Sequence, residues 1–250
     1  MGSMEEAEYR KLAAVEDGMW YFHGLHALIE RALVGAMAGR PGAVLDAGCG
    51  SGGLIRKLAP RHADWTWTGV DSSALACALA RERTGGRAVL EASVTALPFA
   101  AEHFDAVVSA DVLYHLDDDA AALRETARVL RPGGQLVANV PACPWLWSYH
   151  DEAVHGRRRY GRRELLAKLR AAGLEPVRAT YWNTLLFPLI AARRKLFAPP
   201  AGGSDVHRFS APVEQLGRLA LAVERAWLGT GAGLPFGSSV FVVGRKPAGR

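Results

Sequence analysis

The stretch VLDAGCGSGG, residues 44–53, decides the fold class that we predict for this chain. Its first half is a short apolar run typical of a buried strand, and its second half is rich in glycine. The following residues, GLIRKLAP at 53–60, are typical of a helix that a proline ends. Glycines between a strand and a helix allow the backbone to approach a ligand closely. Residues 44–60 therefore predict a strand, a ligand-binding turn and a helix.

Short apolar runs alternate with helical segments along most of the chain. Strands are predicted at 43–48, 65–71, 87–93, 104–110, 135–141, 174–182 and 238–246, and helices at 4–39, 53–60, 73–84, 118–130 and 162–172. The apolar runs lack period-two alternation, as expected when both faces of a sheet are buried. The pattern predicts an α/β fold with a seven-stranded, mostly parallel sheet and helices on both faces.

We expect one domain over residues 1–250, built from four parts. Residues 1–40 form a helical lid, 42–181 a cofactor-binding core, 182–237 a helical insertion that caps the substrate, and 238–250 the last strand and a tail. Helices are predicted within the insertion at about 184–197 and 211–228. Its most apolar run, LLFPLIAA at 185–192, is far shorter than the ~20 residues of a membrane span, which leaves only peripheral contact with a membrane open.

The composition is that of a globular protein, with 50% hydrophobic and 22% charged residues. A formal net charge of +5 suits an anionic partner without naming one. Cys49, Cys77 and Cys143 are too scattered for a disulfide framework or a zinc site, and the first residues, MGSMEEAEYRK, have no apolar signal core. We therefore expect a cytoplasmic protein.

Two ligand templates fit the glycine turn. Gly48, Gly50 and Gly53 match the dinucleotide fingerprint, whereas Asp46, Gly48, Gly50 and Gly52 match the first motif of S-adenosylmethionine methyltransferases. Asp71 ends the second strand, where a carboxylate can accept both ribose hydroxyls of either cofactor. The acid at Asp46 favours a cationic ligand over a pyrophosphate.

The segment SVTALPF…FDAVVSADVLYHLDD…RVLRPGGQLVANVP, within residues 93–141, resembles class I S-adenosylmethionine-dependent methyltransferases of the small-molecule type. With VLDAGCGSG and VDSS, the resemblance covers about residues 42–181. It implies a Rossmann-like sheet with an antiparallel last strand, and S-adenosyl-L-methionine as cofactor. The cofactor-binding residues that it implies are Asp46, Gly48, Gly50, Gly52, Asp71, Ser72, Ser93, Val94 and Ala110.

Three of these assignments have alternatives. Ser93 stands where the family usually carries an acid that contacts adenine, so this chain departs from the pattern there. Gly52 also suits helix–strand packing, and Ser72 also suits a helix N-cap. Val94 is expected near the adenine ring, and Ala110 and Asp111 are expected at the methionine and methyl end.

The stretch WLWSYHDEAVHGRRRYG, residues 145–161, follows the fifth strand and so leaves the sheet at a carboxyl end, where ligands of such sheets bind. A base at this end would assist transfer to a hydroxyl, an amine or an acidic carbon. The candidate catalytic residues are His150, Asp151 and His155, together with His115 after strand four. The alternative is that they hold the loop through hydrogen bonds.

Side chains for the substrate are predicted in the same region. Arg157, Arg158 and Arg159 suit bidentate binding of a phosphate or carboxylate, unless they pair with the acids at 117–119. Trp20, Tyr21, Tyr114 and Trp147 are the remaining candidates, with ordinary packing as the alternative.

The predicted function is methyl transfer to a small, lipophilic acceptor, such as a natural product, an isoprenoid or a lipid-linked compound, with an anionic group as an open possibility. An enzyme that binds the cofactor without methylating, such as a cyclase, is the main alternative. Nucleic acid is disfavoured as a substrate because strand four ends in SADVLYHL instead of (D/N)PP(Y/F). A nicotinamide oxidoreductase is disfavoured by Asp46. No metal site is predicted, and metal dependence, the acceptor atom and the oligomeric state stay open.

Overall fold

The computed structural model describes residues 6–199 and 203–249. The helices are α1 (Glu6–Val15), α2 (Trp20–Met37), α3 (Gly53–Leu58), α4 (Ala74–Arg83), α5 (Asp119–Val129), α6 (Tyr149–Ala153), α7 (Arg162–Ala171), α8 (Phe187–Leu196) and α9 (Ala211–Gly229). The strands are β1 (Gly42–Ala47), β2 (Trp65–Asp71), β3 (Ala88–Glu91), β4 (Phe104–Ala110), β5 (Leu130–Pro141), β6 (Glu175–Trp182) and β7 (Ser239–Arg245).

The seven strands form one sheet in the order β3-β2-β1-β4-β5-β7-β6. All neighbouring pairs are parallel except those of β7, which runs antiparallel to both β5 and β6. The predicted seven-stranded α/β fold with an antiparallel last strand is confirmed. The strand order reverses between β1 and β4, and such a switch point opens a crevice at the carboxyl ends of the strands.

Successive residues of the central strands are buried on opposite faces of the sheet. Val44 belongs to a core shared with α2, α3 and α9, whereas Leu45 belongs to a core shared with α5 and α7. Val107 and Val108 of β4 divide in the same way. Helices cover both faces, which explains why the strands carry continuous apolar runs without alternation.

The prediction of one helix over residues 4–39 is wrong, because this segment forms two helices, α1 and α2. The break lies between Val15 and Trp20, and residues 1–5 lie outside the described part of the chain. Glycine at position 18 disfavours helix at the break. The Glu16 side chain turns inward there and accepts a hydrogen bond from Ser51 Oγ at 2.6 Å.

Two further boundaries differ from prediction. Strand β5 begins at Leu130, before the predicted RPGG turn, because Leu130 pairs with Phe104 and the ladder then shifts register. The segment after β5 contains helix α6, which was not predicted. Ser148 caps α6 together with Asp151, whose carboxylate accepts from the Ser148 backbone N–H at 2.9 Å.

Helices α8 and α9 lie between β6 and β7, as expected of the insertion, and residues 200–202 of the loop between them are outside the described part. Helix α9 packs on α2 so closely that a Cβ on Gly24 would lie 2.3 Å from Leu221 Cδ1. Throughout residues 6–199 and 203–249, every helix is too short or too polar to span a membrane. The division into lid, core, cap and tail stays a prediction.

Candidate active site

A cavity of about 530 Å³ opens at the carboxyl ends of β1, β2 and β4, beneath α1, α2, α8 and α9. Thirteen of the predicted site residues border it: Trp20, Tyr21, Asp46, Gly48, Gly50, Asp71, Ser72, Val94, Ala110, Tyr114, His115, His150 and Arg159. The other seven do not: Gly52, Ser93, Trp147, Asp151, His155, Arg157 and Arg158.

The glycine turn after β1 depends on residues without a Cβ. Gly48 has φ +88°, and a Cβ there would lie 2.3 Å from Val112 Cγ2. The backbone N–H groups of Gly48 and Cys49 both donate to the carbonyl of Val70, at 2.7 and 2.9 Å. The turn is thereby fixed to the end of β2. Gly52 faces α4, where a Cβ would lie 3.0 Å from Ala80. This position agrees with the alternative that Gly52 allows close packing of helices and strands.

Asp71, at the end of β2, is a buried carboxylate with three donors around it. It accepts from the Gly50 N–H at 2.9 Å, the Ser73 N–H at 3.0 Å and the Tyr9 hydroxyl at 3.3 Å. Burial raises the pKa of Asp71, and the hydrogen bonds act in the opposite direction. Ser72 is exposed on the cavity rim, while Ser73, rather than Ser72, caps α4 through the Ala76 N–H.

Asp46 is the second acid on this side of the cavity. It is 2% exposed, and no side chain or backbone group of the described residues donates a hydrogen bond to its carboxylate. Burial, with the nearby charges of Glu16 and Asp71, raises its pKa to about 8. A buried carboxyl without a donor is stabilised as the anion only by a cation. Asp46 therefore suits a cationic ligand.

Glu16 completes a group of three acids around this half of the cavity. Its carboxylate accepts from Ser51 Oγ at 2.6 Å and Arg83 Nη1 at 2.9 Å, which ties the segment between α1 and α2 to the glycine turn. Burial raises the pKa of Glu16, and the Ser51 and Arg83 contacts oppose that rise. Helix α1 is held over the same half by the Tyr9 hydroxyl on Asp71.

The predicted adenine contacts divide between the cavity wall and the loop. Val94 is buried and borders the cavity. The Ser93 hydroxyl instead lies 2.7 Å from Thr95 Oγ1 and accepts from the Thr95 N–H at 3.2 Å. Ala110 borders the cavity at the end of β4, beside Asp111.

Asp111 lies at the centre of a polar network beyond β4 and β5. It has φ +55°, and its carboxylate accepts from the Tyr21 hydroxyl at 2.8 Å and from Asn139 Nδ2 at 2.7 Å. Asn139 Oδ1 accepts from Trp182 Nε1 at 2.6 Å, and the Tyr21 ring stacks on Trp182. Burial raises the pKa of Asp111 to about 6, against the opposing effect of its two donors. An unusual backbone angle held by such a network marks Asp111 as a functional candidate.

The two predicted histidines that border the cavity, His115 and His150, carry their protons on different ring nitrogens. The Nδ1 atom of His150 accepts from the Asp205 backbone N–H at 3.1 Å, so the proton of the neutral ring lies on Nε2. The Nδ1 atom of His115 lies 3.4 Å from the His155 carbonyl, a contact in which only a protonated Nδ1 can donate. Burial lowers the pKa of each imidazole to about 4. Both rings are therefore neutral near pH 7.

Asp151 is fully buried and belongs to the scaffold of the loop. It accepts from Arg159 Nε at 2.8 Å, besides its capping contact with Ser148. His155 is exposed and has φ +55°. The Trp147 carbonyl accepts a hydrogen bond from Lys195 Nζ at 2.9 Å. None of these three borders the cavity, contrary to the expectation that the loop would bring them there.

The three consecutive arginines differ from one another. Arg157 lies 3.5 Å from Asp117, and Arg158 lies 3.6 Å from Asp119 while it donates to the carbonyls of Leu116 and Asp117. The alternative of pairing with acids at 117–119 thus describes these two. Arg159 is buried and borders the cavity, and it pairs with Asp151.

Several cavity residues were not predicted: Glu8, Tyr9, Glu16, Arg193, Arg194 and Asp205. The basic run at 193–195 directly follows the most apolar segment of the sequence, and Asn139 interrupts an apolar strand. Both features are visible in the sequence and could have indicated functional residues. The positions of Tyr9 and Asp205 depend on tertiary packing and leave no local pattern. Across the described ranges, no three His, Cys, Asp or Glu side chains converge as a metal site.

A profile of the methyltransferase domain family matches residues 45–138. A malonyl-(acyl-carrier protein) O-methyltransferase of Pseudescherichia vulneris is 31% identical over 196 residues, covering 73% of this chain and 75% of the relative. A ubiquinone biosynthesis O-methyltransferase of Pseudomonas aeruginosa is 32% identical over 146 residues, covering 54% of this chain and 63% of the relative. The chain thus spans less than two thirds of the second relative.

Solved structures share the fold at lower identity. Geranyl diphosphate C-methyltransferase from Streptomyces coelicolor A3(2), in complex with Mg²⁺, geranyl diphosphate and S-adenosyl-L-homocysteine, matches with a TM-score of 0.61 and 18% identity, over 90% of this chain and 80% of that one. The (4+2)-cyclase SpnF matches with a TM-score of 0.59 and 21% identity, over 88% and 80%. These likenesses concern the fold alone.

The acidic half of the cavity fits S-adenosylmethionine as cofactor. This molecule carries a sulfonium and an ammonium, which suit the donor-free Asp46, and a ribose, which suits Asp71. A pyrophosphate would meet three carboxylates. The family profile, the 31% identical relative and the acidic site agree, and the chain belongs to the class I S-adenosylmethionine-dependent methyltransferases.

Proposed function

We propose that the enzyme methylates a small, lipophilic acceptor that carries an anionic group, such as a natural product, an isoprenoid or a lipid-linked compound. One observation carries this proposal: a single cavity joins the acidic cofactor half to an apolar region and an arginine-rich end. The relatives' names, malonyl-(acyl-carrier protein) and ubiquinone biosynthesis O-methyltransferase, agree with a non-nucleic-acid acceptor.

The apolar region supports the lipophilic part of the proposal. Its walls come from α2, α8 and α9 and from the loop before α9, and they include Trp20, Phe22, Leu25, Leu186, Leu189, Ile190, Phe209, Val213 and Leu216. An acceptor with only polar groups would leave these side chains in contact with water. A hydrocarbon portion of the acceptor would bury them instead, which is favourable by about 25 cal/mol per Å².

The chain's task in the reaction is to orient the acceptor, exclude water and remove a proton. S-adenosylmethionine supplies the methyl group from its sulfonium. Asp46 and Asp71 would hold the cofactor, and Asp111 would accept the proton of the acceptor's hydroxyl, amine or acidic carbon. The Tyr21 hydroxyl and Asn139 amide hold the Asp111 carboxylate in place.

Asp111 is a better proton acceptor than the two predicted histidines, His115 and His150. Its pKa of about 6 leaves it mostly ionised near neutral pH, yet more basic than an ordinary carboxylate. His150 already carries its proton on Nε2, and its Nδ1 lone pair is engaged by the Asp205 N–H. His115 has a pKa near 4, which makes it the weaker base.

The first experiment is calorimetric titration with S-adenosylmethionine, S-adenosylhomocysteine and NAD, followed by transfer of labelled methyl to a panel of lipophilic acids and phenols. We expect the first two ligands to bind without NAD, and an active acceptor to be methylated about 100-fold more slowly by Asp111→Asn, at unchanged cofactor affinity. Acceptor turnover that leaves the cofactor intact would instead indicate a cyclase, the second candidate, whose fold the SpnF likeness matches. Unchanged kcat in Asp111→Asn would exclude Asp111 as the base.

We also propose that α8 and α9 bring the cavity mouth to the surface of an anionic lipid bilayer. Leu216, Leu219, Val223 and Trp227 follow one face of α9, and each is at least 54% exposed. Leu189 and Leu216 belong both to this apolar surface and to the cavity wall. Lys195, near the end of α8, supplies an exposed positive charge beside it and lies over the exposed Trp145 ring.

A further inference from the structure

One part of the cavity wall is built by the loops after β4 and β5, by α8 and by the segment before α9. Among the polar side chains that border the cavity there, four are candidate donors to a ligand: Tyr114, His150, Arg159 and Arg194. Arg159 Nη2, Arg194 Nη1 and the Tyr114 hydroxyl have no hydrogen-bond partner in the described part of the chain. For His150, the free donor is Nε2–H, which is inferred from the tautomer of the ring. None of the four is explained by cofactor binding.

Arg159 is fixed by two of its three nitrogens. Nε donates to Asp151 at 2.8 Å and Nη1 donates to the Ala142 carbonyl at 2.9 Å, while Nη2 has no hydrogen bond within the described residues. The side chain is only 2% exposed. A guanidinium held this firmly presents its remaining N–H groups in a fixed direction.

Arg194 of α8 is fixed in a similar way. Its Nε and Nη2 atoms lie 2.9 and 2.8 Å from the same oxygen of Asp205, which leaves Nη1 without a partner in the described ranges. The other oxygen of Asp205 accepts from the Tyr149 hydroxyl at 2.8 Å. The adjacent Arg193 also borders the cavity, and it has no carboxylate within salt-bridge distance among the described residues.

Two neutral groups complete the set. The backbone N–H of Asp205 donates to His150 Nδ1, so Nε2–H is the donor that this ring offers. The Tyr114 hydroxyl makes no hydrogen bond to the described residues. Since all four side chains border the cavity, the donors that the described residues leave unpaired are available to a ligand.

The four groups are close enough to affect one another's ionisation. Burial and then the Arg194 charge lower the pKa of Arg159, and the same two causes lower the pKa of His150. Two guanidinium groups that repel one another across a cavity are stabilised by an anion between them. Asp151 and Asp205 each balance one arginine, and Arg193 adds a further positive charge.

From this arrangement we infer a specific anion subsite, in which the carboxylate or phosphate of the acceptor lies between Arg159 and Arg194 and receives hydrogen bonds from His150 Nε2–H and the Tyr114 hydroxyl. The inference rests on the proposed function and specifies how the acceptor is oriented. Its anionic group lies at this part of the cavity wall, its hydrocarbon part along α8 and α9, and its nucleophile at Asp111. Arg157 and Arg158 take no part.

The test uses decanoate, decyl phosphate and 1-decanol as probes, titrated into the whole protein saturated with S-adenosylhomocysteine. The three share one chain and differ in head-group charge and geometry. We expect at least one anion to bind about 10-fold or more tightly than decanol, because hydrogen bonds to charged groups are worth that much. Comparison of the two anions distinguishes a carboxylate subsite from a phosphate subsite.

Arg194→Gln should remove most of this preference, and Arg194→Lys should restore part of it. Arg157→Gln, a surface arginine next to Asp117, is the matched control and should behave as the unaltered protein. Equal affinity for all three probes, no binding of either anion, or the same loss in Arg157→Gln would overturn the subsite. Failure of S-adenosylhomocysteine to bind would overturn the proposed function instead, and the prior titration reports it separately.

Discussion

The two halves of the cavity are opposite in charge and in construction. The cofactor half has three buried carboxylates, Glu16, Asp46 and Asp71, close to a turn that backbone hydrogen bonds hold in place. The acceptor half has arginines and exposed apolar helices. In the cofactor half, the hydrogen bond from Gly50 to Asp71 joins residues 21 positions apart in sequence. In the acceptor half, the hydrogen bond from the Trp20 N–H to Glu214 links α2 and α9 across 194 positions. The glycine turn and its contact with Asp71 thus depend on a short stretch of sequence, whereas the acceptor half depends on packing between distant segments.

The largest effect is expected when the ribose acceptor is removed from the cofactor half. Asp71→Ala should weaken S-adenosylmethionine binding at least 100-fold, because two charge-assisted hydrogen bonds would be lost. Calorimetric titration measures it, with Asp117→Ala as an exposed control carboxylate. Normal affinity in a folded Asp71→Ala variant would show that the acidic half does not hold the ribose.

The charge of the cofactor half is tested by pH. Asp46 is mostly protonated below its pKa of about 8, and a cationic ligand binds its ionised form. The affinity for S-adenosylmethionine should therefore rise as pH increases from 6 to 8.5. Binding near pH 7 should release a proton from Asp46. Asp46→Asn should bind about 10-fold more weakly at pH 8.5, with a smaller difference at pH 6.

The amino group of the cofactor also titrates near pH 8. The effect of Asp46 is therefore the difference in pH dependence between the unaltered protein and the Asp46→Asn variant. Calorimetry in two buffers of different ionisation enthalpy counts the protons released. Equal proton release by both proteins would mean that Asp46 does not change its ionisation on binding.

The apolar surface of the acceptor half is tested with vesicles. Replacing Leu196 and Leu219, which are 77% and 62% exposed, by serine should reduce sedimentation with phosphatidylglycerol vesicles about 5-fold while the fold is retained. Val177→Ser on β6, at 51% exposure, is the control and should change nothing. Equal binding to neutral phosphatidylcholine, or none to either vesicle, would argue against a membrane-facing cap.

The smallest effect concerns the contact of α1 with the cofactor half. In the structure the Tyr9 hydroxyl donates to an Asp71 oxygen that a ribose would use. Tyr9→Phe should therefore tighten cofactor binding two- to three-fold, because no hydrogen bond has to be exchanged. Tyr181→Phe, whose hydroxyl accepts from the Arg162 N–H, is the control. Weaker binding in Tyr9→Phe would instead place the hydroxyl among the cofactor contacts.

The sequence predicted the fold and placed Asp46 and Asp71 beside the glycine turn for a physical reason. The motif at 44–53 and the acid at 71 lie on adjacent strands, whose carboxyl ends meet by necessity in a parallel sheet. The acceptor half could not be predicted in the same way. Arg158 and Arg159 are neighbours in sequence, yet one points to the surface acids and the other to the cavity. Arg194 depends on the position of α8, which no local pattern determines.

The missing Cβ of Gly48 has a consequence for how the two ligands influence each other. Val112 fills the space beside Gly48 and directly follows Asp111, so one short segment of backbone forms a common wall for both sites. A ligand that shifts this wall on one side alters the free energy of binding on the other. Since such coupling is reciprocal, the factor by which S-adenosylhomocysteine changes acceptor affinity must equal the factor by which the acceptor changes affinity for S-adenosylhomocysteine.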